Sequence, residues 1–410
     1  TRRRVWIARV LVLLGIAAIV GGLFGTASFG SALPLLGFGL ILLFVGIAML
    51  AGTIVTPLAS FVGKPIERLR GILDGEDSEA ALTWETTLPD GVTLTEISDA
   101  QAREIGELAP NDRPSALAAA RAGAALLLDV PAEAEVSEPI VLRLHGSSVD
   151  DLVWGRLLVR VGRHAQATVA IVHTGSARYS AITTVLVGDG ASANVLSLQD
   201  WDDDAVHLGR DAIRVGRDAT VKHTSISFGG DVVRMHANVE YAGPGGDAEL
   251  LGLYFADAGQ HLEHRLFADH NAPRTKSHVK YKGALQGEGA HTVWIGNVLI
   301  RKVAEGIETY EENRNLVLSD GCQADSVPNL EIETGEIEGA GHASATARFD
   351  DEQLFYLRSR GISEKEAHRL VVHGFFNDLI RRVGIPSVEE QLLATVEAEL
   401  SKNLLREGDS

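Results

Sequence analysis

The chain has 410 residues, a net charge of -18 and a single cysteine, Cys322, a length that accommodates two or three domains with a sizeable core. The acidic balance excludes a general nucleic-acid binder, because a phosphate backbone demands clustered Lys and Arg. One thiol excludes an internal disulfide framework and any four-cysteine metal or cluster site built by this chain alone, and a reducing compartment is its natural reading.

Two apolar runs open the chain, VWIARVLVLLGIAAIVGGLF (Val5 to Phe24) and LPLLGFGLILLFVGIAMLAGTIV (Leu33 to Val55). Twenty helical residues span about 30 Å, the thickness of a hydrocarbon core, so residues 1–65 are expected to form a two-span transmembrane hairpin. Arg2, Arg3 and Arg4 precede the first run, Lys64, Arg68 and Arg70 follow the second, and the loop GTASFGSA between them is uncharged. The positive-inside rule then places both ends in the cytoplasm, with the rest of the chain tethered to the inner face of the membrane. A signal peptide or a buried helical hairpin is the competing reading; the first would need a small-residue cleavage site and no second span. The chain opens on Thr, which reads as a fragment or a processed product.

Residues 66–128 read as a mixed α/β region in which the Ala-rich ALAAARAGAALLLDV begins as a short helix. From there the pattern becomes β-rich runs broken by Gly and Asp. VGRHAQATV, VGDGASANV, VGRDATVKH and AGPGGDAEL overlay, with Gly162, Gly188, Gly216 and Gly243 spaced 26, 28 and 27 residues apart, and the turns at Gly287 and Gly321 echo them. A turn recurring every rung, followed by an alternating strand, is what a coiled sheet requires, since each rung buries its apolar face only by stacking on its neighbours. Residues 129–347 are therefore expected to form a parallel β-helix, with an antiparallel jelly roll as the rival because periodicity alone does not fix strand pairing.

In this overlay the residue after the turn is small: Ala165, Ala191, Ala219, Ala248, Ala290 and then Cys322. Cys322 thus reads equally as a small buried hydrophobe. Residues 348–410 carry helix signals: Asp350 as an N-cap with Gln353 after it and Gly361 as a stop, a Ser363–Glu366 capping box closing on Gly384, and Ser387 with Glu390. Leu370, Val371, Phe375 and Leu379 fall at helical spacing.

No GxxxxGK[ST], GxSxG or HExxH occurs, so the chain is not expected to hydrolyse ATP itself. His261, His264, His270, His278 and His291 crowd one stretch, and of these His261 and His264 are the candidates for a divalent metal, although interleaved Arg and Lys also fit a solvated face. The run DWDDDAVH (Asp200 to His207) lacks an EF-hand pattern and reads as a solvated turn. A thiol with its ordinary pKa near 8.5 is only about a few per cent thiolate at neutral pH, so Cys322 needs a nearby cation, metal or base. His342 qualifies if the fold brings its rung beside that of Cys322.

The strings YFADAGQHLEHRLFADHNAP, GALQGEGAHTVWIGNVLIRKVAEGIETYEENRNLVLSDGCQADSVPNLEIETGEIEGAGHASAT and DDEQLFYLRSRGIS resemble the SufB/SufD family of iron-sulfur cluster assembly scaffolds, from about residue 67 to the end. The resemblance implies a mainly β fold, a right-handed parallel β-helix with a C-terminal helical domain, and a non-catalytic scaffold role. It further implies a complex with a SufB-like subunit and a SufC-like ABC ATPase, supplied indirectly by a cysteine desulfurase system, that builds a transient iron-sulfur cluster at its interface, with a reduced flavin as a further expectation for the complex. The absence of N-terminal cysteines matches the SufD-like side. The family's interface histidine before DDEQ corresponds to His342, and Cys322 stands where SufB carries its interface cysteine. The ATPase is expected to dock on residues 350–403, around Phe355, Tyr356, Arg358, Arg360 and Gly361.

The N-terminal 65 residues depart from this pattern and faintly resemble an FtsX-type ABC permease segment. A natural membrane-tethered scaffold and a chimera from gene fusion or misassembly both account for that, and the lack of a polar transport signature in either span favours fusion or misassembly. The competing functions are a membrane-anchored β-helix or cupin-like metalloenzyme using the histidine cluster, and a permease fragment.

Overall fold

The computed structural model describes residue 14 and residues 82–348 and 351–406. The expected hairpin, Leu14 aside, lies outside the described residues, as do its flanking cations and Asp350. Among the described residues no helix is long and apolar enough to cross a membrane.

An N-terminal region of β1 (Leu82–Thr87), β2 (Thr93–Ile97), α1 (Asp99–Ile105), α2 (Arg113–Arg121) and β3 (Ala125–Val130) leads into two long strands, β4 (Ile140–Val161) and β5 (Gln166–Val187). Ser98 caps α1 with a full capping box through Gln101, and Asp112 caps α2, with its carboxylate accepting from the Ser115 amide. The Ala-rich stretch splits where the helix gives way to the apolar ALLLDV strand, β3.

Eleven strands of nine or ten residues follow: β6 (Ser192–Trp201), β7 (Val206–Val215), β8 (Thr220–Phe228), β9 (Val232–Tyr241), β10 (Asp247–Ala256), β11 (His261–His270), β12 (Lys276–Leu285), β13 (His291–Ile300), β14 (Glu308–Val317), β15 (Gln323–Ile332) and β16 (Gly339–Arg348). The even strands stack in one ladder, β6-β8-β10-β12-β14-β16, and the odd strands in another, β7-β9-β11-β13-β15. Both ladders grow from β5, whose first half pairs β6 and whose second half pairs β7. Every pairing within them is parallel, which eliminates the jelly roll.

A rung thus contains two strands and two turns, which corrects the six-turn overlay. Gly188, Gly216 and Gly243 lie in turns leading into the even ladder, whereas Gly287 and Gly321 lie in turns leading into the odd one. Ala165, Ala191 and Ala219 are buried at the first edge and Ala290 at the second, where Cys322 follows it. Ala248 is the second residue of β10 and belongs to neither turn column. The overlay merged the edges because both turns reduce to Gly followed by a small residue.

Alternation along each strand sends one set of side chains into the lumen between the ladders and the other outward. The lumen holds the largest core cluster, from Leu128 through Leu250 and Tyr281 to Trp294. Gly252 and Gly283 make room for rings on the adjacent rung: a Cβ at 252 would stand 2.0 Å from Tyr281, and one at 283 would stand 1.9 Å from Tyr254.

The outer face of the even ladder buries Leu196, Ile226, Leu253 and Phe255 under the C-terminal helices α3 (Asp351–Ser359), α4 (Glu364–Val383) and α5 (Pro386–Arg406). The stripe of α4 that faces it is Val372, Phe376, Ile380 and Val383, with Val371 and Phe375 partly buried beside it, Leu379 buried outside that cluster and Leu370 exposed, so the expected stripe is rotated. The Ser363 hydroxyl accepts from the Glu366 amide as expected, and Gly384 ends α4 in the left-handed conformation, with Lys222 donating to the carbonyls of Arg382 and Val383. Ser387 is not a cap: α5 starts at Pro386, whose fixed φ suits the first helical position.

The outer face of the odd ladder is tied to the N-terminal region by ion pairs. Arg156, almost fully buried, reaches Glu107 and Asp99, and Arg234 reaches Asp112 at 2.8 Å. Burial raises the Asp112 carboxyl pKa, but hydrogen bonds from His236 and Ser115 and the Arg234 charge outweigh it and hold the group well below the carboxylate range.

Candidate functional site

The solenoid ends at β15 and β16, and no further strand lies beside either among the described residues. In the rungs below, inward positions are mostly apolar. Along β14 they are Thr309, Glu311, Asn313 and Asn315, so the last covered rung is polar inside.

Most of that polarity is satisfied. The Tyr254 hydroxyl donates to Asn315 at 2.7 Å and accepts from Asn313 at 2.8 Å, and Asn315 donates to Asn313 at 2.9 Å. Ser326 of β15 donates to Asn313 at 2.8 Å, and Ser344 of β16 donates to Ser326 at 2.8 Å, which closes the network across the lumen. Such a network fixes the spacing of the two ladders at the mouth.

Glu311 stands apart from it. The residue is 1% exposed and, among the described residues, neither carboxylate oxygen has a hydrogen-bond partner at standard geometry, the Asn329 amide offering only a weak interaction. Burial pushes its pKa up to about 7. His342 is its register partner on β16, with Nδ1 3.9 Å from Oε1 and a side chain 43% exposed.

Cys322 ends the turn before β15 and is half-buried against the lumenal core. Its Sγ donates to the Gly287 carbonyl at 3.3 Å and lies 3.6 Å from the Ser319 hydroxyl. Burial raises the thiol pKa despite those Ser319 contacts, so the reactive thiolate is scarcer than in a free cysteine. Cys322 and His342 share one end of the solenoid without forming a pair. Ser326 meets Ser344, and Asp320 meets Arg348, so β15 and β16 run in opposite directions across the lumen and Cys322 faces the far end of β16 from His342. The offset is roughly six residues of strand, about 20 Å.

The histidine cluster is divided by strand alternation. His261 and His264, three apart on β11, point to opposite faces. His261 Nδ1 lies 3.2 Å from His291 Nδ1 on the outer face, whereas His264 is sealed in the lumen beside Tyr254 and Tyr281, with no partner for either ring nitrogen and its pKa pushed by burial down to about 3. Among the described residues no three His, Cys, Asp or Glu side chains group as a metal site. Asp202 to Asp204 lie in the turn after β6, while the flanking Trp201 and His207 are buried.

Helix α3 leaves Phe355 74% and Tyr356 54% exposed, and Arg360 stacks over the Tyr356 ring at 4.6 Å. Arg358 lies in its last turn, and Gly361 follows in the left-handed conformation.

Two features escaped the sequence. At the opposite end, a cavity of about 500 Å³ is lined by His173, Tyr179 and His207 among others. His173 Nδ1 lies 3.0 Å from the Leu198 carbonyl and must donate to it, whereas His207 Nδ1 accepts from the Trp201 indole at 3.2 Å. The second is Glu311, which a period-two reading of ETYEENRNLV exposes once the inward register is known.

The SufBD core domain of the SUF system for FeS cluster assembly matches residues 144–375. An iron-sulfur cluster assembly SufBD family protein of Mycobacterium tuberculosis is 49% identical over 344 residues, covering 82% of this chain and 86% of that protein. One from Mycobacterium leprae is 48% identical over 344 residues, with 82% and 88% covered. The iron-sulfur cluster assembly protein SufD of Bacillus subtilis is 25% identical over 294 residues, with 70% and 66% covered. A parallel solenoid with helices packed on one outer face, and this match across more than half its length, make the chain a member of the SufBD family of iron-sulfur cluster assembly proteins.

Proposed function

We propose that the chain is the SufD-like scaffold subunit of a SufBCD-type complex and that its last rung is the cluster-building face. The observation that carries this is the open end itself. Among the described residues no strand covers the outer edges of β15 and β16, and the rung beneath them is polar, with a half-exposed imidazole at the mouth. Bare parallel edges are suited to pairing with the edges of a second solenoid, and an unprotected edge is otherwise a liability. In this reading a SufB-like subunit covers the mouth, and His342 contributes a neutral imidazole ligand to the nascent iron-sulfur cluster, which is cargo and not a resident cofactor.

Cys322, a protonated and half-buried thiol about 20 Å along the strand, is assigned a packing role. Phe355, Tyr356 and the neighbouring Arg358, Arg360 and Gly361 form the docking face for a SufC-like ATPase, because two large exposed aromatics on one short helix are the kind of anchor an interface buries. The flavin expectation is assigned to no residue of this chain.

The test is co-purification of the tagged chain with SufB-like and SufC-like partners, followed by cluster assembly with His342→Ala, Cys322→Ala and Phe355→Ala. The expected results are a complex without clusters for His342→Ala, normal assembly for Cys322→Ala, and loss of the ATPase for Phe355→Ala. Normal assembly with His342→Ala removes the ligand assignment.

A further inference from the structure

We propose that Glu311 is a positioning residue for His342: its carboxylate takes the Nδ1–H of the imidazole and so leaves Nε2 as the lone-pair nitrogen. The inference rests on the reading of His342 as a cluster ligand and names the group that would prepare it.

The placement is set by strand register. Glu311 and His342 are partners on adjacent parallel strands, so both point into the lumen at the same level, and Nδ1 lies 3.9 Å from Oε1. That is an ion-pair separation rather than a hydrogen bond, and a small rotation of the half-exposed imidazole brings the two groups into hydrogen-bond range. A carboxylate behind a ligating imidazole fixes its tautomer and ring orientation and strengthens it as a donor.

The column in which Glu311 stands supports the assignment. Successive rungs place Val195, His223, Leu250, Val279, Glu311 and His342 one over another. Val279 and Leu250 are buried there, so an apolar residue of that size suits the position. A buried carboxylate lacking full hydrogen bonds costs stability, and such a cost is commonly retained at working sites. The facing ladder also leaves room for it: at Gly296 an added Cβ would stand 2.4 Å from Glu311 Oε2. The buried Trp294 indole, whose Nε1 has no partner, neighbours that glycine and supplies no charge. Among the described residues, His342 is the charged or titratable group within ion-pair distance of Glu311.

The experiment uses the full chain with ¹⁵N-labelled histidine and long-range imidazole correlation spectra at pH 8, with His342 assigned by its disappearance in His342→Ala. The expected wild-type signal is a single tautomer protonated at Nδ1. Glu311→Val should shift it to the Nε2-protonated or averaged form, and Glu311→Gln, whose amide oxygen still accepts, should retain it. Glu311→Val should also raise the melting temperature, since it replaces a poorly satisfied polar group by the residue found at 279. An averaged or Nε2-protonated imidazole in the wild type overturns the inference, as does a spectrum unchanged by Glu311→Val. If Glu311→Val lowers the melting temperature, the carboxylate is a structural group satisfied by water, and the inference is equally overturned. These readouts need no partner, so they are independent of cluster assembly by His342→Ala, whose normal rate would remove the ligand assignment alone.

Discussion

The two ends of the solenoid treat histidine in opposite ways. At the N-terminal end His173 and His207 are sealed around a cavity, each with one ring nitrogen committed, to the Leu198 carbonyl and the Trp201 indole respectively. At the C-terminal end His342 is half exposed over a carboxylate with no full partner. Strand geometry is the same in both places; what differs is whether another layer covers the rung. A covered rung settles the protonation and tautomer of its polar groups by burial and local hydrogen bonds, while at the open one the imidazole has solvent on one side and the Glu311 carboxylate on the other.

Acid should separate the sealed histidines from the open one most strongly. His173, His264 and His270 have pKa values pushed by burial to about 4, about 3 and about 4, below the unfolded value of 6.5. The unfolded chain therefore binds more protons, and stability present above pH 6.5 is lost as pH falls towards those values. Each histidine contributes up to about 1.4 kcal/mol per pH unit. Urea midpoints at pH 7, 6 and 5 should drop steadily; a flat profile contradicts the neutral sealed imidazoles.

Truncation should give the next largest contrast. Trp294→Ala, in the sealed lumen, is expected to cost about 3–5 kcal/mol, whereas His342→Ala at the open mouth should stay within about 0.5 kcal/mol, both read from denaturant midpoints. Equal effects would mean that the last rung is as rigidly packed as the middle.

Tyr254→Phe probes the seam between the regions. It keeps the ring against Gly283 but strips the hydroxyl from Asn313 and Asn315, at a cost of about 1–3 kcal/mol. Slower amide exchange at Ser326 and Ser344 in the variant than in wild type would contradict a network that holds the mouth together.

The smallest effect has the opposite sign to the first. Glu311 has its pKa raised from 4.5 to about 7, so its contribution is present below 4.5 and lost as pH rises through 7. Solvent at the mouth screens part of this, leaving about 1 kcal/mol between pH 5 and 8. The difference in stability between Glu311→Val and wild type should widen with pH over that window; a constant difference would place the carboxylate in water.

The coiled sheet was legible in the sequence because stacking demands a repeated turn and an alternating strand, and both leave marks on the residues. The SufBD likeness was legible for a different reason, since its strings run with short gaps from the end of β10 through β16 and into α3. The division of the repeat into two ladders was not legible: Gly followed by a small residue serves both edges, so Ala219 and Ala290 looked equivalent although they sit on opposite sides of the lumen. Which of Cys322 and His342 is the more exposed was hidden for the same reason, because exposure at the last rung depends on what lies beyond it. The separation of His261 from His264 follows from period two once β11 is known to be a strand. The position of Glu311 was decided only by the tertiary structure. Its place above Val279 and below His342 comes from parallel register across residues 31 to 32 apart, a relation set by the length of each turn and by no local pattern in the chain.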